Sequence, residues 1–159
     1  MIFLTLGTQL PFDRLVRTLD DVAGDLAEDV FGQIGRTDLR PANFPVTQFL
    51  TPTEFAARME QARVIVGHAG IGTILTGMRM HKPLVLMARR ASLGEHRNDH
   101  QSATVAQVRK IAGITIVEDA AQMKAALSRS DIPAMSDHGS TARAAMIDAL
   151  RSDAGLDWG

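Results

Sequence analysis

Val64-Ile65-Val66-Gly67-His68-Ala69-Gly70-Ile71-Gly72-Thr73-Ile74-Leu75 runs three β-branched residues into a knot of glycines. Ile71, Ile74, Leu75 and Met78 then recur at the spacing of one helix face, so the stretch predicts strand, tight turn, helix. Glycine at such a turn permits backbone angles closed to other residues. It also lets main-chain N–H groups, helped by the positive end of the helix, come close to an anion. The stretch outlines a phosphate cradle over Gly70, Ile71, Gly72 and Thr73. Plain packing of helix on sheet uses the same glycines, and both readings stand on this stretch alone. The lysine of a G-x-x-x-x-G-K-[ST] loop is missing, and Gly67, Gly70 and Gly72 are not spaced as G-x-G-x-x-G, so neither ATPase nor dinucleotide chemistry is supported. His68 can orient a phosphate or a leaving group from beside the turn, or simply bond a loop carbonyl.

Upstream, residues 2–6 read as a buried strand ending at Gly7-Thr8-Gln9, followed by Phe12, Leu15, Val16, Leu19, Ala23 and Leu26 at helical period. This is a second strand-to-helix turn. In a parallel sheet both turns fall at the carboxyl edge, where open α/β folds bind ligands. Asp20, Asp21, Asp25 and Glu28 read as a solvated acidic face. Strands are expected over residues 30–35 and 46–50. Thr51-Pro52-Thr53-Glu54 then supplies a capping box, with Leu50 and Phe55 as its hydrophobic staple, for a helix ending near Arg63.

Downstream, His81-Lys82-Pro83 stops the central helix, and residues 84–88 form another apolar strand. Residues 89–101 pack Arg89, Arg90, Glu95, His96, Arg97, Asn98, Asp99, His100 and Gln101 into one loop at the same edge. A solvated loop is one reading. The density of hydrogen-bonding side chains also suits a sugar, whose hydroxyls each need a partner once buried. A helix from Ala103, a strand over residues 114–117, a helix capped by Asp119 with Gln122, and a closing amphipathic helix over residues 140–150 complete the chain. The alternation predicts an α/β fold, a doubly wound parallel sheet, as a single domain over residues 1–159.

Composition bounds the partners. Among 159 residues, 17 Lys and Arg stand against 18 Asp and Glu, a formal charge of −1 that gives no electrostatic case for nucleic acid. Cysteine is absent, which excludes disulfides and thiolate metal sites. The apolar run at residues 1–6 has no basic flank and is too short for a signal peptide or a span, so a cytoplasmic, soluble chain is expected.

Three ordered segments carry a resemblance. Leu4-Thr5-Leu6-Gly7-Thr8 with Phe12-Asp13-Arg14-Leu15-Val16 resembles the opening of the catalytic subunits of two-part UDP-sugar glycosyltransferases. Gly67-His68-Ala69-Gly70-Ile71-Gly72-Thr73 with Lys82-Pro83-Leu84 resembles their nucleotide-binding turn. Gly94-Glu95-His96-Arg97-Asn98-Asp99-His100-Gln101 looks most like the bacterial exopolysaccharide members. The resemblance, which runs from Met1 to about Leu127, implies a Rossmann-like domain equivalent to the C-terminal half of a GT-B enzyme, as in glycosyltransferase family 28.

What the resemblance implies is an inverting transfer from a UDP-sugar to a polyprenyl-diphosphate-linked acceptor held by a separate membrane-associated subunit. The diphosphate would lie against Gly7, Thr8, His68, Gly70, Ile71, Gly72 and Thr73, whose N–H groups would stabilise the departing charge with no metal or other cofactor. The sugar would meet Glu95, Asn98, Asp99, His100 and Gln101. Several relatives carry a ribose-binding Glu at the position of Thr76, whose hydroxyl offers a single hydrogen bond. His68 and Asp99 are the candidate general bases within the chain, with the partner as the other source. Arg89, Arg90 and Arg97 would suit a uronic acid carboxylate or the diphosphate equally well. An exposed strip on the closing helix, Ala142, Ala145, Met146, Ala149 and Leu150, is a candidate docking surface, and packing back on its own sheet is the competing reading. A non-catalytic nucleotide-binding regulator built on the same cradle is the alternative function. A hydrolase is disfavoured, since no Gly-x-Ser-x-Gly elbow or cysteine nucleophile exists.

Overall fold

The computed structural model describes residues 1–8, 10–97 and 99–135 together with Ala144, Ile147 and Asp148, with the backbone alone at His100. Six parallel strands form one sheet: β1 (Ile2–Thr5), β2 (Val30–Gln33), β3 (Val46–Thr47), β4 (Val64–His68), β5 (Leu84–Met87) and β6 (Ile114–Ile116), in the spatial order β3-β2-β1-β4-β5-β6. Among the described residues up to Met135, five α-helices accompany them: α1 (Asp13–Ala23), α2 (Pro52–Gln61), α3 (Ile71–Arg79), α4 (His100–Val108) and α5 (Ala120–Leu127).

The central strands are apolar except for Thr5 and His68 at their carboxyl ends, because both faces of a parallel sheet are covered. β1 and β5 are buried throughout, and β4 is buried from Val64 to His68. Alternate residues serve opposite layers. Ile2, Leu4, Val64, Val66, Val85 and Met87 join Leu15, Leu19 and Met123 from α1 and α5. Phe3, Ile65, Leu84 and Leu86 join Met59, Ile74, Met78, Val105 and Val108 from α2, α3 and α4. Phe3 lies stacked with Phe31 at 6.3 Å and edge-on to Phe55 at 5.6 Å. The chain thus winds to one side of β1 through β2 and β3, then returns to β4 on the other. That reversal, between the carboxyl ends of β1 and β4, is the crevice where such sheets take ligands.

Several boundaries differ from those expected. The strand expected over residues 46–50 stops at Thr47; Gly35 N–H still bonds Gln48 O at 3.0 Å, and beyond it the Leu50 N–H donates to the Gln33 side chain at 2.8 Å instead of to a strand. α4 begins at His100 rather than Ala103, which puts His100 and Gln101 on a helix instead of a loop. α1 ends at Ala23, with Leu26 beyond it still packed on the core. The capping box of α2 forms in full, whereas at α5 Asp119 accepts from Gln122 N–H and Gln122 reaches back to Glu118 N–H. The expected acidic face of α1 is largely partnered: Asp20 accepts from Ala42 and Asn43 N–H, Asp25 pairs with Lys124 and Glu28 with Arg63. Of the closing helix, Ala144, Ile147 and Asp148 are helical and the rest, with its candidate docking strip, lies outside the described residues.

Candidate functional site

The turns after β1 and β4 are neighbours because those strands pair in register, Thr5 beside Gly67. Between them lies a cavity of about 230 Å³ lined by residues that include Gly7, Thr8, His68, Gly72, Thr73 and Thr76. Its floor is the N-terminus of α3. The first intrahelical bond there runs from Ile74 N–H to Gly70 O at 3.2 Å, leaving the N–H groups of Ile71, Gly72 and Thr73 without helical acceptors. A side chain on Gly72 would meet nothing within 4 Å, so an anion has room directly over the helix end. Gly72 is helical with no left-handed backbone, contrary to the expectation of special angles, and only the open space distinguishes it.

Gly70 serves another purpose. A Cβ there would fall 2.7 Å from His68 Nδ1, because the imidazole lies across that glycine. His68 is 4% exposed, and its pKa is lowered from 6.5 to about 3, first by burial and then by the Arg89 charge. The ring is neutral at pH 7. Gln101, expected on the sugar, is instead buried behind this ring: Oε1 accepts the Arg89 N–H at 3.0 Å, and Nε2 stands 3.0 Å from His68 Nδ1. A backbone N–H can only donate, so it fixes which end of the amide is oxygen. The amide nitrogen must then donate to Nδ1, leaving the imidazole proton on Nε2. This corrects the candidate base at His68, because its one basic lone pair is already occupied.

The polar loop is largely braced from within. Glu95 accepts two bonds from Arg14, at 2.8 and 2.9 Å, and one from Arg90 N–H at 2.9 Å. Burial raises its pKa, but Arg14 and the Arg90 N–H outweigh that and hold it below the usual carboxylate value. Its expected place on the sugar is therefore taken by Arg14. Arg89 is 3% exposed and donates to the carbonyls of Leu10, Pro11 and Glu95, stitching the β1–α1 turn to the loop, with its guanidinium over Phe12. It is not free to hold a uronic carboxylate. Its role extends the strand alternation of Val85 and Met87 by one step, a signal present in the sequence; the Arg14–Glu95 pair, 81 residues apart, left none.

Asp99 is exposed, with Oδ1 accepting from Ala91 N–H at 3.0 Å. Thr76 donates its hydroxyl to Gly72 O at 2.8 Å, so toward a ribose it can only accept. Asn98 and the side chain of His100 lie outside the described residues. Among the described residues no three His, Asp or Glu side chains gather as a metal site, and no helix is long and apolar enough to cross a membrane.

Comparison with known structures places this architecture. The chain is 24% identical to the glycosyltransferase of kitacinnamycin, with a TM-score of 0.62, over 96% of its own length and 38% of the other's. The calicheamicin glycosyltransferase CalG4 gives 18%, 0.61, 96% and 37%. ALG13 gives 15% and 0.58, over 84% of this chain and 87% of that one. The chain thus spans little more than a third of the first two and most of the third, and at these identities the likeness establishes the fold of a GT-B C-terminal domain. No curated protein matches it in sequence. The model of the glycosyltransferase family 28 C-terminal domain matches residues 1–144, with the glycine turn, the cavity and the braced loop all inside it, and the chain belongs to that family.

Proposed function

We propose that this chain is the donor-binding part of an inverting UDP-sugar glycosyltransferase that acts with a separate, membrane-associated acceptor subunit on a lipid-linked acceptor in exopolysaccharide synthesis. The carrying observation is the open N-terminus of α3 at Gly72, facing Gly7 and Thr8 where the sheet reverses direction. The free N–H groups of Ile71, Gly72 and Thr73 meet the diphosphate. Being fixed by the fold, they stabilise the charge that grows as UDP departs, with no reorganisation and no metal. Thr76 accepts from a ribose hydroxyl. Asp99, the exposed carboxylate of the loop, is the base candidate that this chain retains, and the acceptor subunit is the other source.

The two-wall architecture of GT-B sites supports the partner in this reading. A GT-B site is a cleft between two such domains, and this family supplies one wall. Leu10, Phe49 and Leu93, the large apolar side chains exposed among the described residues, follow β1, β3 and β5, so all three stand at the carboxyl edge. An acceptor subunit docked there would cover them and close the cleft.

The test is calorimetric titration of UDP with EDTA present, followed by transfer from radiolabelled UDP-sugars to a lipid-linked acceptor, with and without membranes holding the partner. Micromolar UDP binding and partner-dependent transfer are expected. Binding without turnover in the complete mixture would favour a regulatory nucleotide-binding module instead.

A further inference from the structure

We propose that Gln101 is a positioning residue that locks His68 in the Nε2–H form, so that the imidazole serves the diphosphate as an uncharged hydrogen-bond donor. The ligand in this statement rests on the donor reading above; the lock does not. It is a relay of three links. The Arg89 N–H donates to Gln101 Oε1, the Gln101 amide donates to His68 Nδ1, and Nε2 is left to carry the ring proton beside the cavity that His68 lines. Each link has one sense only, because the relay starts from a backbone N–H. Gly70 supplies the space that the ring needs, and burial of both side chains prevents water from substituting for either partner.

The relay also explains why Gln101 is a glutamine. A carboxylate there could accept the Arg89 N–H equally well but could not donate to Nδ1. It would draw a proton onto Nδ1 instead. The titratable groups near the ring are Arg89, just beyond β5, and His96 in the loop, and both oppose its protonation. A neutral donor is what a site already facing the Arg89 guanidinium can hold without repulsion.

The test uses ¹⁵N-labelled full-length protein. In the wild type, His68 should show a protonated Nε2, a bare Nδ1 and no titration between pH 5.5 and 8. In Gln101→Glu, Nδ1 should become protonated and the ring should titrate in that range. UDP affinity, measured in parallel, should then acquire a pH dependence that the wild type lacks. It should fall about tenfold relative to wild type as pH rises and Nε2 gives up its proton, because a lone pair then faces the phosphate. Gln101→Met, nearly equal in volume, should keep the fold by circular dichroism yet show mixed tautomers. A wild-type Nδ1–H tautomer, or a Gln101→Glu ring that stays Nε2–H, would overturn the inference. Should UDP fail to bind the wild type, the donor reading falls while the ¹⁵N spectra still judge the lock.

Discussion

His68, the glycine under its ring and the glycine on the open helix end separate by substitution. Gly70→Ala would place a methyl against the imidazole, 2.7 Å from Nδ1. It should destabilise the chain by about 1–3 kcal/mol in urea unfolding, as overpacking does. In a His68→Ala background the same change should be nearly neutral, and the shortfall measures the contact. Gly72→Ala should do the reverse of Gly70→Ala. Its new methyl enters open space on a helix, where alanine gains roughly 0.4–1 kcal/mol over glycine, so the melting point should rise while UDP affinity falls. Affinity unchanged in that variant would remove the diphosphate from α3. Acid should act through His68 as well. With its folded pKa depressed to about 3 against 6.5 when exposed, the unfolded chain takes up a proton that the native ring refuses. Stability is whole above pH 6.5 and falls by about 1.4 kcal/mol per unit below it. Glu28 and Glu95, lowered from 4.5, add their loss only below that value, so the slope between pH 6.5 and 5 belongs to His68 and should flatten in His68→Gln. The glycine turn and His68 were legible from local spacing. The partner of His68 was not, because it comes from 33 residues away and nothing in a linear pattern distinguishes a glutamine that faces a ligand from one that faces a histidine.

The helices and strands show where such patterns succeed. Runs buried on both faces, such as β1, β4 and β5, are apolar but for Thr5 and His68 at their carboxyl ends, and α2 announces its start with a capping box because one local motif forms it. Boundaries slipped where a distant side chain intervened, as Gln33 does at the end of β3. The join of α3 to the sheet depends on Gly77, whose absent side chain leaves Leu84 Cδ2 room at 2.6 Å from where a Cβ would stand. Gly77→Ala should therefore cost stability despite the better helix propensity of alanine, about 1–3 kcal/mol, because Leu84 is wholly buried and has no free space to yield. Leu84→Ala should restore part of the loss in the double variant. A more stable Gly77→Ala single variant would show that α3 sits farther from β5 than described. The turn between β5 and α4 is held differently, by charge, through Arg14, Glu95 and Arg89, and its stiffness should respond to Glu95→Gln as faster amide exchange over residues 90–97.

Taken together, the parallel strands place their carboxyl ends, the cavity and the three exposed apolar side chains on one side, which is the side that a second domain covers in a two-domain glycosyltransferase. Mixing the chain with the proposed acceptor subunit should protect Leu10, Phe49 and Leu93 from hydroxyl-radical footprinting, while Leu39 and Ile132, packed at the core, serve as internal references. Unaltered labelling of the three in an active mixture would move the docking face elsewhere. The sheet also ends abruptly on both flanks, with two residues in β3 and three in β6. A strand that short offers a passing chain too few unpaired N–H and C=O groups to seed a further strand. A chain with apolar side chains exposed at that edge is thereby denied the commonest route to fibrils, and its association on concentration should be loop-mediated and reversible on dilution.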